Sequence, residues 1–216
     1  MAASASPSVA DPAVSAAARA SKHDTRRDQL AESALTTLGK LGYARTSLRE
    51  IAQHSSYSHG VVHYYFSSKE ELITYGVRYY KRTCVTRYDD IVETSRSAAE
   101  LQTRFAAKLA ETIREEGPMH QLWYDLRNQS MFEPALRPVV LEIDGQLEAM
   151  IWRVLTRYAD LAGRELALDS STGYGMLDGL FAQSLLAWAT GPATDRDDVL
   201  TVLTARVDAL MPSLLR

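Results

Sequence analysis

The sequence is short of the residues and patterns that most protein classes need. It has one cysteine, Cys84, so no disulfide can close within a chain. That usage fits a reducing compartment, and the expected location is the cytoplasm. No apolar run approaches the roughly 20 residues that span a bilayer, so no membrane partner is expected. The N-terminus lacks a basic stretch leading into an apolar one, and does not read as a secretory signal. Sustained apolar–polar alternation is missing, so there is no source of strands. G-x-S-x-G, the Walker loop and H-E-x-x-H are all absent. Gly173, Gly175 and Gly179 have the wrong spacing for a dinucleotide loop. His59 and His63 stand four apart, a spacing that can hold a metal, but no third ligand lies near them in sequence. The reading is a non-enzyme with no metal and no cofactor.

What is present is charge, unevenly shared. Residues 19–69 hold eight basic and four acidic residues, while residues 70–216 hold 16 basic and 22 acidic. With Asp11 lying before both ranges, the net −3 of the chain therefore hides a head at +4 and a body at −6. A basic head on an acidic body turns a polyanion towards the head. With 46% hydrophobic residues, the chain can fill one large core or two modest ones.

The most informative stretch is Thr46–Leu72. Ser47-Leu48-Arg49-Glu50 is a capping box, which predicts a helix from Leu48 with Leu48, Ile51 and Ala52 on its buried face. Ser55, Ser56 and Ser58 then compete for backbone hydrogen bonds and turn the chain. Ser58 is a good N-cap for a second short helix, His59 to about Tyr64. Ser68-Lys69-Glu70-Glu71 is a second capping box and starts a longer helix. Helix, tight turn and helix is the arrangement that lays its second member in a DNA major groove. The candidate contacts with double-stranded DNA are Thr46, Ser47, Tyr57, Ser58, His59, Gly60, Val61, His63, Tyr64 and Lys69. Within the second helix, His59, Val61 and His63 are expected outward, and Val62 and Tyr65 inward. The bland alternative is a plain packing motif, with Tyr64, Tyr65 and Phe66 as core.

Residues 26–72 resemble the DNA-binding domain of the tetracycline-repressor (TetR) family of bacterial regulators. The features that carry the resemblance are Gly42-Tyr43, Thr46-Ser47-Leu48, Glu50-Ile51-Ala52, Ser58-x-Gly60, His63-Tyr64-Tyr65-Phe66 and Ser68-Lys69-Glu70-x-Leu72. The chain departs from the family at Ser55-Ser56-Tyr57, commonly Ala-Gly-Val, and at His63, often Tyr. The resemblance implies an all-α protein: an N-terminal three-helix helix-turn-helix domain joined by a fourth helix to a helical ligand-binding and dimerisation domain. It also implies a homodimer on a palindromic operator, a repressor released by a small-molecule effector.

The remaining chain reads as follows. Residues 1–22, rich in Ala, Ser and Pro, are expected to be a disordered tail. Its basic end, Arg19, Lys22, Arg26 and Arg27, offers an arm for the phosphate backbone. Residues 23–70 form the DNA-binding domain, with a first helix from near Asp24 or Thr25 to Gly42. Residues 71–216 form the effector and dimerisation domain, with helices at about 98–115, 118–131, 134–162, 171–190 and 195–211. The last two carry the expected dimer stripe, Leu177, Phe181, Leu185, Val199, Leu203 and Val207. The alternative is that these residues face their own core. Trp123, Tyr124, Asn128, Trp152, Tyr174, Asp178 and Phe181 are the candidate effector pocket. Aromatics near a carboxylate suit a cationic ligand, and Trp123–Leu141 resembles the betaine-regulator subgroup of the family. A large apolar effector fits the composition equally well.

Overall fold

The computed structural model describes residues 12–216, with side chains from residue 23 onward except those of 82 and 83. Among the described residues nine α-helices follow one another: α1 (Pro12–Leu41), α2 (Leu48–Gln53), α3 (His59–Tyr65), α4 (Lys69–Cys84), α5 (Asp89–Thr94), α6 (Ala98–Ser130), α7 (Arg137–Ala162), α8 (Ser170–Thr190) and α9 (Arg196–Ser213). Short 3-10 turns precede α7 and α9. The described residues contain no strand, only an isolated bridge between Leu166 and Leu215.

Most helix starts have the chemistry their sequences promise. At α2 the Ser47 hydroxyl accepts the Glu50 N–H at 3.2 Å, and Glu50 Oε2 accepts the Ser47 N–H at 2.7 Å. Ser58, Ser68, Ser97 and Asp169 cap α3, α4, α6 and α8 in the same manner, each satisfying an otherwise orphaned donor.

Two departures and one borne-out break stand out. The first helix begins at Pro12, not near Asp24. An Ala-rich run without a breaker continues the helix backwards, and proline is at home in a first turn. The part of the expected tail before residue 12 lies outside the described residues. The expected break at Gly117-Pro118 is present as a kink that divides α6 into two helical segments. Glu116 leaves helical geometry (φ −121°, ψ 17°), because Pro118 removes a donor and crowds the preceding turn. A Cβ on Gly117 would stand 2.7 Å from Trp188, so α8 reaches the kink only because that residue has no side chain. Finally, α5 was not anticipated.

Two apolar cores result. The smaller gathers Leu30, Ala31 and Ala34 of α1 with Ile51, Ala52, Val62, Phe66 and Leu72. The larger runs from Leu35, Leu38, Ile73 and Val77 through α5–α9. Both α1 and α4 thus contribute to both cores, α4 through Leu72 and Tyr75 on the smaller and Ile73 and Val77 on the larger.

The expected dimer stripe belongs to the larger core. Leu177, Phe181, Leu185, Leu203 and Val207 are buried within their own chain, and Val199 is half-buried. The residues of α8 and α9 left outside are different: Met176, Leu186 and Val202, with open space at Gly175 and Gly179.

Candidate functional site

The α2–turn–α3 unit is held by short-range bonds. Ser55 Oγ donates to Ala52 O and accepts the Tyr57 N–H, both at 3.1 Å, which closes the turn. Val62 is fully buried and anchors α3 on the small core. The opposite face presents His59, Gly60, His63 and Tyr64, the last 76% exposed. His59 and His63 lie one helical turn apart, and their Nε2 atoms stand 3.0 Å apart, so one ring donates to the other. Val61 is half-buried against the small core, not fully outward. Tyr65 is half-buried, 4.8 Å from the His23 ring.

Several expected contact residues are engaged internally. Thr46 is 3% exposed, and its hydroxyl donates to Gly42 O at 2.7 Å. Lys69 Nζ donates to Tyr43 O at 2.7 Å and lies 3.6 Å from the Tyr43 ring centroid. Burial lowers the pKa of its ammonium. Lys69 therefore pins the turn after α1 and is not turned out to a phosphate. Arg27 is likewise taken: it pairs with Glu71 at 2.6 Å and stacks on Phe66 and Tyr75. Ser47 and Ser58 spend their hydroxyls on caps, although both are exposed. Tyr57 donates to Gln29 at 3.2 Å and lies under Arg26. Arg45 and Arg49, counted in the sequence only as charge, are exposed beside this face.

The body holds a cavity of about 60 Å³ between α4, α6, α7 and α8. Of the expected residues, Trp123, Tyr124, Tyr174, Asp178 and Phe181 line it. Asn128 is exposed, and Trp152 packs half-buried on the core, so neither belongs to it. The sequence reading missed Lys81, Arg87 and His120, which also line it. A signal existed, since Lys81 falls between Val77 and Cys84 on the apolar stripe of α4, where a charge needs a reason.

The polar groups of the cavity are mostly matched. Asp178 accepts from Tyr124 Oη and Arg127 Nη1, both at 2.7 Å. Arg87 pairs with Glu116 at 2.6 Å and donates to His120 Nε2 at 3.1 Å. Glu116 also accepts from Tyr80. Burial first, then Lys81 and Arg87, hold the His120 pKa well below its ordinary range, so its ring is a neutral acceptor. Lys81 is 2% exposed, and its Nζ has no hydrogen-bond partner; the Trp123 indole N–H has none either. Burial brings the Lys81 ammonium down to about 8. The described residues hold no cluster of His, Cys, Asp or Glu fit for a metal, and no helix long and apolar enough to cross a membrane.

With this geometry in view, likeness to known proteins is informative. Residues 30–75 match the model of bacterial regulatory proteins, tetR family. The chain is 27% identical over 191 residues to the HTH-type transcriptional regulator BetI of Paraburkholderia phymatum, covering 87% of this chain and 94% of that one. In fold it resembles a transcriptional regulator from Saccharomonospora viridis solved with choline, at TM-score 0.72 and 17% identity, over 89% of this chain and 98% of that one. It also resembles FadR of Bacillus subtilis solved with stearoyl-CoA, at TM-score 0.67 and 18% identity, over 85% and 96% of the two chains. A helix-turn-helix built by α2 and α3 on a helical body, together with that match over residues 30–75, gives this chain a head of the tetR-family type and the fold of the solved regulators it resembles.

Proposed function

We propose that the protein is a homodimeric repressor that reads a palindromic operator with paired α3 helices and is released by a small molecule in the body cavity. The head is residues 23–70 and the effector and dimerisation part residues 71–216. The observation that carries the reading is the sharing of two helices. Lys81 and Cys84 of α4 and Trp123 and Tyr124 of α6 line the cavity. The same α4 starts in the head, and Asp125 of α6 accepts the Tyr43 N–H there at 2.7 Å. An occupant that moves either helix would alter the spacing of the two heads, and with it the fit to a palindrome.

His59, Gly60, His63 and Tyr64 supply the groove-facing surface, with Ser47, Ser58 and Tyr57 at its edges. Val61 contributes the part of its side chain that is open. Arg45 and Arg49 supply phosphate contacts. The dimer forms through the outer faces of α8 and α9, Met176, Leu186 and Val202, where Gly175 and Gly179 let a second backbone approach. The cytoplasm, with access to DNA, is where such a protein works.

A mobility-shift titration on DNA upstream of its own gene, at several salt concentrations, tests this. A discrete complex that weakens steeply with salt, carried by two chains per site, is the expected result. Absence of binding at low salt would remove the regulator reading.

A further inference from the structure

We propose that the body cavity accepts an organic anion: an apolar molecule bearing a carboxylate or comparable acceptor group, seated on the Lys81 ammonium and the Trp123 indole N–H. This rests on the effector reading above and names the class of molecule the cavity takes.

The argument begins with what is left over. Charges around the cavity pair off, Arg87 with Glu116 and Arg127 with Asp178, while His120 is neutral. Lys81 is the remainder. Its Nζ is 4.7 Å from the Trp123 ring centroid and 5.8 Å from that of Tyr80, which offsets part of its charge. An aromatic face accepts no conventional hydrogen bond, so three donors stay unused in a place water hardly reaches. Burying a charged donor without an acceptor is among the costliest arrangements in a fold. A site that retains one is short of an acceptor. The Trp123 indole N–H, also buried and unused, is a second donor in the same wall.

The same inventory disfavours a cation. Asp178, the carboxylate that the sequence offered to a cationic ligand, has Oδ1 taken by Tyr124 and Oδ2 by Arg127. A quaternary ammonium would find aromatic rings but no free counter-ion, and would face Lys81 and Arg87 besides. The rest of the wall, Leu109, Leu147, Met150 and Ile151, is apolar and suits a hydrocarbon or aromatic body.

The test uses the full chain and two matched series: phenylacetate and octanoate, their neutral amides, and the corresponding ammonium compounds. Thermal unfolding and tryptophan fluorescence are read for the wild type, Lys81→Met and Trp123→Phe. The carboxylates should raise the wild-type midpoint and the amides and ammonium compounds should not. Loss of a charge-assisted hydrogen bond should weaken carboxylate binding by about tenfold or more in Lys81→Met. The ligand-free Lys81→Met protein should unfold above the wild type, because the unpaired charge is gone; a residue kept for the fold alone would shift the midpoint down. Stabilisation by the ammonium series, no stabilisation by either carboxylate, or undiminished carboxylate binding in both variants each overturns the assignment. Operator binding by the ligand-free protein, measured in parallel, separates the two readings. If DNA binding stands and the anion series fails, the regulator reading survives and this one does not.

Discussion

The backbone N–H of Tyr43 donates to Asp125 Oδ2 at 2.7 Å, a bond between residues 82 positions apart that ties the turn after α1 to α6. Gly42 makes it possible: at φ +78° it ends α1 in the left-handed region and turns the next N–H towards the body. Tyr43 is also held by Lys69 through its carbonyl and by Glu70 through its hydroxyl. Burial and the Glu70 carboxylate push its phenol up to about 12.

Asp125→Ala should leave the Tyr43 N–H without its charged acceptor. A loss of about 1–3 kcal/mol in stability is expected. More telling, the change in operator affinity caused by an effector should shrink, since Asp125 follows Trp123 and Tyr124 on α6. Urea unfolding and paired DNA titrations, with and without an effector, measure both. An effector response of undiminished size would show that the coupling runs through α4 instead.

Arg49→Ala and Lys69→Ala should separate phosphate contact from scaffolding. Arg49 is exposed and, among the described residues, has no ion pair. Its removal should reduce the slope of log affinity against log salt by about 1 per subunit. Lys69→Ala should instead lower stability by about 1–2 kcal/mol, from the lost bond to Tyr43, and leave that slope alone. A reversed pattern would mean that Lys69 swings out when DNA arrives.

Leu203→Glu and Leu186→Glu should also behave differently. Leu203 is fully buried in its own chain, so a carboxylate there should unfold the body and produce aggregated protein. Leu186 is 64% exposed, and the charge there should yield folded monomers, seen by light scattering with an unchanged helical circular dichroism signal. Intact dimers in that variant would take α8 out of the interface.

The pH dependence of stability should carry the mark of Lys81. Its folded value is about 8 against an ordinary 10.5. Between those values the unfolded chain binds a proton that the folded chain does not, so wild-type stability gains with rising pH, by up to roughly 3 kcal/mol. Below pH 8 both states are charged and the full burial cost stands. Lys81→Met should therefore be more stable than wild type at pH 7, with the advantage shrinking as pH climbs from 8 to 10.5. Urea titrations at three pH values give the comparison, and an advantage that widened with pH would contradict it.

Local chemistry was readable where a side chain states its own role. Ser47 with Glu50, Ser58 and Ser68 set the starts of α2, α3 and α4, and Gly42 set an end. Six-residue α5 carries no such mark, because Tyr88 at its N-cap makes no side-chain capping bond. Periodicity was less decisive for α8, which is apolar nearly all round. Leu177 and Leu185 went inward while Met176 and Leu186 stayed out, and no spacing rule chooses between them. The cavity was half legible. Aromatics announced it, but Lys81 and His120 sit on stripes that read as core, and the residues that line the cavity with them come from helices distant in sequence.

The division of α1 and α4 between two cores sets a rule for recombination. A head excised after residue 70 would lose Leu72 from its own core and leave Leu35 and Leu38 without their partners in the body. A chimaera that transplants this operator specificity onto another sensor should carry α1 whole and α4 past Val77. The graft should also bring an acid on the recipient's sixth helix to meet the Tyr43 N–H.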